Sequence, residues 1–202
     1  NLIIKPYFVV KNYMKNLHHF ASGGTIDSHW EGSQDTAVPN QVTAVGPYLT
    51  QVARLPHVVS ETLFLKDSRH ISTKDQDTIA ARVAETVDNR TLVTIGTYLM
   101  PDVARLIAHH PMTAHYDELD RRVVLTGSVV PLRGFLKSDA GFNLGMSVAA
   151  LEEPSINRIS VVMNGCVLEA AQIRKDLSTA TFSGMEARDQ LPFSDFDLVT
   201  TG

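Results

Sequence analysis

Between Leu17 and Met163 the chain repeats one order: a short apolar run, a turn of glycine and hydroxyl residues, then apolar residues at helical spacing. Few folds accommodate that order. Strands that alternate with helices close a core as a mostly parallel sheet covered on both faces, each crossover returning the chain to the same edge. The predicted fold class is therefore α/β, a mostly parallel sheet with helices on both faces.

The first strand is read at Leu17 to Phe20, leaving through Ala21-Ser22-Gly23-Gly24-Thr25-Ile26-Asp27-Ser28. Adjacent glycines reach positive φ and admit a close neighbour, so Thr25 is displayed at a turn instead of packed in a core. His29 to Gln41 lacks periodicity and reads as a mobile loop, followed by a short helix around Pro47 to Arg54 and a strand from Val58 to Lys66. Ser72 or Thr73 caps the next helix, with Asp75 and Asp77 opposing its dipole; Ile79, Val83 and Val87 form a core stripe. Leu92 to Ile95 is a strand ending at Gly96-Thr97-Tyr98, and Pro101 opens the following helix in a favoured first-turn position. Arg122 to Leu125 is a strand ending at Thr126-Gly127-Ser128. A loop from Pro131 to Lys137, a helix from Phe142 to Leu151 and a strand from Ile159 to Met163 complete the pattern, with Phe196 to Val199 as an edge strand.

Residues 1–13 are read as an extraneous N-terminal extension, since Lys5 and Pro6 interrupt their apolar run, and residues 14–202 as one α/β domain. No stretch approaches the roughly 20 apolar residues of a membrane span. A net charge of -4 with no basic stripe argues against a nucleic-acid partner, and one cysteine, Cys166, fits a reducing, cytoplasmic setting. There is no Gly-x-Gly-x-x-Gly or Gly-Lys-Ser/Thr loop for a nucleotide. The paired histidines His18-His19 and His109-His110 point different ways, so no metal site is read.

One deduction concerns function directly. Thr25, Ser68, Thr97 and Ser128 each follow a different strand, which puts all four at the carboxyl edge of the sheet, where open parallel sheets bind ligands. Four hydroxyls with Arg69 beside Ser68 describe a pocket for a small polar molecule bearing a carboxylate. A threonine hydroxyl becomes a nucleophile when a base removes its proton, and a lysine serves once burial lowers its pKa. Lys175, in Gln172-Ile173-Arg174-Lys175, is the candidate.

Five segments in register resemble the bacterial-type L-asparaginases with a threonine nucleophile. They are Ser22-Gly23-Gly24-Thr25-Ile26, Asp67-Ser68-Arg69, Gly96-Thr97-Tyr98-Leu99-Met100, the stretch from Leu125-Thr126-Gly127-Ser128 through Ser138-Asp139 to Phe142-Asn143-Leu144, and Val161-Val162-Met163-Asn164 followed by Lys175. The resemblance implies hydrolysis of the asparagine side-chain amide to aspartate and ammonia, without metal or organic cofactor. It places the two catalytic threonines on Thr25 and Thr97, the activating lysine on Lys175, and the carboxylate-holding segment on Asp67, Ser68 and Arg69. It also implies an oxyanion held by backbone N–H groups of the glycine turn, and a homo-oligomer, for which Val45 to Arg54 and Val103 to Ile107 offer helical faces.

Three departures accompany it. Tyr98 stands where the family has an aspartate that binds the substrate's amino group, which leaves Asp27, Asp67 or Asp102 to take that role, or a different substrate. No tyrosine lies between Tyr13 and Tyr48 to partner the first threonine, and the chain ends at Gly202 without the family's C-terminal domain, which likens it to short asparaginases. An asparaginase, an amidase for another small amide, and an amino-acid-binding module without turnover all remain consistent with these residues.

Overall fold

The computed structural model describes residues 16–33, 35–134 and 137–184. The expected extension at 1–13 and the expected edge strand at 196–199 lie outside the described residues.

A six-stranded sheet forms the centre, in the order β4-β1-β5-β6-β7-β8. Strands β1 (Leu17–Gly23), β4 (Val58–Lys66), β5 (Arg90–Thr94), β6 (Arg122–Thr126) and β7 (Ile159–Met163) run parallel, and β8 (Cys166–Glu169) returns antiparallel beside β7. In register, Ala21, Thr94, Thr126 and Val162 are aligned across the sheet, so the turns that follow share one edge.

Successive strand residues point to opposite faces, and here both faces are covered. Phe20, Val93, Leu125 and Val161 pack with Ile79 and Val83 of α2 (Thr73–Glu85) and Val103 and Ile107 of α3 (Met100–Ala108). Leu17, Leu92, Val124 and Val162 pack on the other side with Val45 of α1 (Val45–Pro47), Leu49 of the turn after it, and Leu144 and Leu151 of α4 (Ala140–Glu152). Burial on both faces explains why β5, β6 and β7 read as continuous apolar runs.

Local chemistry sets the helix ends. Ser72 and Asp75 make a reciprocal capping box at the start of α2, and Pro101 sits in the first turn of α3. The stripe expected to extend to Val87 stops short: α2 ends at Glu85, so Val87 leaves the helix and is 79% exposed. The segment expected as a mobile loop instead pairs Ser28–Glu31 (β2) with Thr36–Pro39 (β3) as an antiparallel hairpin, its cross-strand bonds supplying what periodicity did not signal. Of the segments expected to offer faces for self-association, Val45, Leu49, Val103 and Ile107 are buried in the chain's own core, while Val52 and Leu106 are exposed. A second hairpin, β9 (Ile173–Asp176) with β10 (Thr181–Gly184), lies outside the main sheet. No helix among the described residues is long and apolar enough to cross a membrane.

Candidate active site at the carboxyl edge of the sheet

The double glycine is a wedge. Gly23 and Gly24 have φ of 87° and 82°, and a Cβ on Gly24 would lie 2.2 Å from the Cα of Gly96. One on Gly23 would lie 2.4 Å from the backbone nitrogen of Lys66. Only hydrogen side chains let the turn after β1 press between the ends of β4 and β5. The same crowding continues sideways: a Cβ on Gly96 would meet Ser68 at 2.4 Å, and one on Gly127 would approach the Cγ2 of Thr97 to 3.5 Å. The four turns expected at one rim are packed together there.

At that rim Lys175 meets Thr97. Its Nζ donates to the Thr97 Oγ1 at 2.8 Å although 78 residues separate the two in the chain. Lys175 is half-buried on β9, and that burial lowers its pKa below the ordinary lysine range. The ring of Phe182, its partner in the β9–β10 register, lies 5.8 Å from the amine and is itself buried. Sequence reading missed Phe182; an aromatic at the partner position becomes visible only when the hairpin register is known.

Thr25 and Ser68 are half-buried beside the same glycine contacts. Ser128 lies in the turn after β6, but its hydroxyl is not displayed as expected: it is buried and donates to the Val130 carbonyl at 2.6 Å. Arg69 is exposed, and its guanidinium holds Asp67 through two bonds of 3.1 and 2.8 Å. Those bonds hold the Asp67 pKa at about 2. Tyr98 is half exposed at the start of the turn into α3.

The carboxylates weighed for the amino group are all engaged. Asp27 is buried and accepts from the Thr43 hydroxyl at 2.9 Å and the Ala44 N–H at 2.6 Å, while desolvation raises its pKa. Asp67 holds Arg69, and Asp102 pairs with Arg105 at 2.6 Å. One expected oxyanion donor is also committed, for the Gly24 N–H donates to the Lys66 carbonyl at 2.8 Å.

Behind the site, Asp139 accepts from the N–H groups of Val129 and Val130, and the Asn143 amide donates to the Gly127 carbonyl at 3.0 Å. These bonds from Asp139 and Asn143 fix the turn that abuts Thr97. Among the described residues no three His, Cys, Asp or Glu side chains converge as metal ligands would.

Comparison with known proteins agrees with this fold. The family model described as "Asparaginase, N-terminal" matches residues 16–198. Among solved structures, the thermostable L-asparaginase from Thermococcus kodakarensis is 20% identical over 84% of this chain and 51% of its own, with a TM-score of 0.61. L-asparaginase I from Vibrio cholerae is 19% identical over 89% of this chain and 56% of its own, with a TM-score of 0.65. The chain thus spans about half the length of these structures, which share its fold. No curated protein sequence matches it. By its matched span, the chain belongs to the asparaginase family, through that family's N-terminal domain.

Proposed function

We propose that this protein is an amidohydrolase that cleaves the side-chain amide of asparagine, with Thr97 as the attacking hydroxyl. The observation that carries the reading is the 2.8 Å bond between the Lys175 amine and the Thr97 Oγ1. An amine whose pKa is lowered by burial is neutral more often near neutral pH, and a neutral amine accepts the hydroxyl proton. The Thr97 oxygen then bonds to the amide carbon, the proton passes from Lys175 to the leaving nitrogen, and ammonia departs. Water attacks the resulting ester, releasing aspartate and restoring the hydroxyl. Thr25, which follows Gly24 at the contact with Gly96, is assigned to the same cleft by its place in the turn after β1.

A second reading has a specific observation behind it. Asp27, Asp67 and Asp102 are each engaged and Tyr98 offers a hydroxyl in place of a carboxylate, which favours a small amide without a free ammonium group. One assay separates the two. Ammonia release is measured from asparagine and from its analogue lacking the amino group, with wild type, Thr97→Ala, Thr25→Ala and Lys175→Met. Loss of the lysine is expected to slow turnover by about a hundred- to ten-thousandfold, as removal of a general base does. Unchanged turnover in Lys175→Met refutes the mechanism, and ligand binding without ammonia release by wild type refutes the enzyme.

A further inference from the structure

The lysine of the candidate site does not stand on the main sheet. Strand β9 pairs with β10 in a separate two-stranded sheet, so the ladder that aligns the turns after β1, β4, β5 and β6 does not set its position. Besides the Lys175–Thr97 bond and the buried ring of Phe182 on β10, two contacts of Ile173 tie β9 to the body of the domain. Ile173 buries its side chain completely in the cluster that contains Val103 and Ile107 of α3. The Ile173 carbonyl accepts from the Arg105 Nη1 at 2.7 Å.

Arg105 is well placed to act as a strut. It lies on α3, the helix that leaves directly from the Thr97 turn and whose Val103, Ala104 and Ile107 are buried against the sheet. Its other nitrogen, Nη2, donates to the Asp102 carboxylate one helical turn back at 2.6 Å, which fixes the plane of the guanidinium. Ile173 and Lys175 are two apart on a strand and share a face. A continuous series of contacts therefore runs from Thr97 through α3 and Arg105 to the Ile173 carbonyl, and along two residues of backbone to Lys175.

We infer that Arg105 is the positioning residue for the Lys175 amine: by holding the Ile173 carbonyl it locks the strand bearing the lysine to the helix that follows Thr97. The inference rests on the reading of Thr97 and Lys175 as the reacting pair. Its physical content is distance. A 2.8 Å hydrogen bond from a four-carbon side chain is lost when the backbone beneath it drifts, and a misplacement of about 1 Å at a reacting group costs on the order of a hundredfold in rate. The Thr97 hydroxyl and the Phe182 ring face the amine from the neighbouring elements, and Asp176, next along β9, is turned to Ser178.

The test uses the full chain with Arg105→Met, Arg105→Lys and Asp102→Asn, each checked by circular dichroism melting. Arg105→Met is expected to lower kcat for the amide by about ten- to a hundredfold with KM changed less than about threefold. Arg105→Lys, which keeps a charged donor, recovers most of that loss, and Asp102→Asn falls between. A second readout needs no turnover: competitive acetylation of the lysines across pH, followed by mass spectrometry, gives the titration midpoint of Lys175. That midpoint is expected to rise toward the ordinary lysine value in Arg105→Met as the amine reaches solvent. Wild-type kcat and an unmoved midpoint in Arg105→Met overturn the inference. If wild type releases no ammonia from either amide, the catalytic reading fails and the midpoint alone decides the positioning role. If Arg105→Met does not fold, Asp102→Asn carries the test, and unchanged kcat with an unmoved midpoint there overturns it.

Discussion

His19 gives the protein a sensitivity to mild acid that can be worked out from its surroundings. The ring is buried in the centre of β1, bonded at Nδ1 to the Ser60 hydroxyl at 2.8 Å and at Nε2 to the Thr94 hydroxyl at 2.9 Å. Both partners can accommodate a neutral ring, whereas desolvation, and to a lesser degree neighbouring His18, disfavours its charged form and puts its pKa at about 3. An unfolded histidine titrates near 6.5. As pH falls from 7 to 5 the unfolded chain therefore takes up a proton that the folded chain refuses, and stability declines. Integrated over that window the loss is about 2 kcal/mol, and it continues until the pH nears the folded value. For a chain of this size that corresponds to a fall of roughly 4 to 8 °C in Tm. The carboxylates held low, Asp67 and Asp75 at about 2, add their own losses only as pH drops through the ordinary carboxylate range. Urea unfolding at pH 7 and pH 5, on wild type and His19→Gln, isolates the histidine. The variant is less stable at pH 7 but loses about 2 kcal/mol less on acidification. Parallel losses in the two proteins would refute the reasoning.

Other expectations follow from single contacts. Gly24→Ala adds a methyl 2.2 Å from the Gly96 backbone at a positive φ, and should destabilise the fold by more than about 2 kcal/mol in chemical denaturation while abolishing ammonia release. Turnover should rise with pH through the titration of Lys175, with a midpoint below the ordinary lysine range, and a pH–rate profile of Lys175→Met should lack that limb. Ser72→Ala removes half of the capping box of α2 and should cost about 1 kcal/mol by thermal melting. Asp120→Ala should cost about 2 kcal/mol, because its carboxylate faces Arg90, Arg122 and Arg158 at the opposite edge of the sheet and the first two are buried; an unchanged denaturation midpoint would show the arginines satisfied by Glu152, Asp117 and backbone carbonyls.

Several of these features were legible in the sequence because their causes are local or periodic. The apolar runs at Leu92 and Val123 identify strands buried on both faces, and Pro101 and Ser72 mark helix starts by chemistry within one turn. Val87 misled because a periodic residue carries no sign that the helix has already ended. The hairpin of β2 and β3 leaves no periodic signal in the sequence because its stabilisation comes from cross-strand partners, which a one-dimensional pattern does not display.

The residues of the candidate site divide in the same way. From the chain alone, Thr25, Ser68 and Thr97 belong at the ends of neighbouring parallel strands, since alternation with helices forces every strand to finish at one edge. Tertiary structure decided the directions and the company of the side chains. It turned Ser128 inward to a carbonyl, joined Arg69 to Asp67, buried Asp27 against Thr43, and brought Lys175 to Thr97 across 78 residues. Order along the chain specifies which edge a turn occupies, but hydrogen bonding and burial depend on neighbours supplied by distant segments, and those become fixed only when the sheet, its helices and the outlying hairpin pack together.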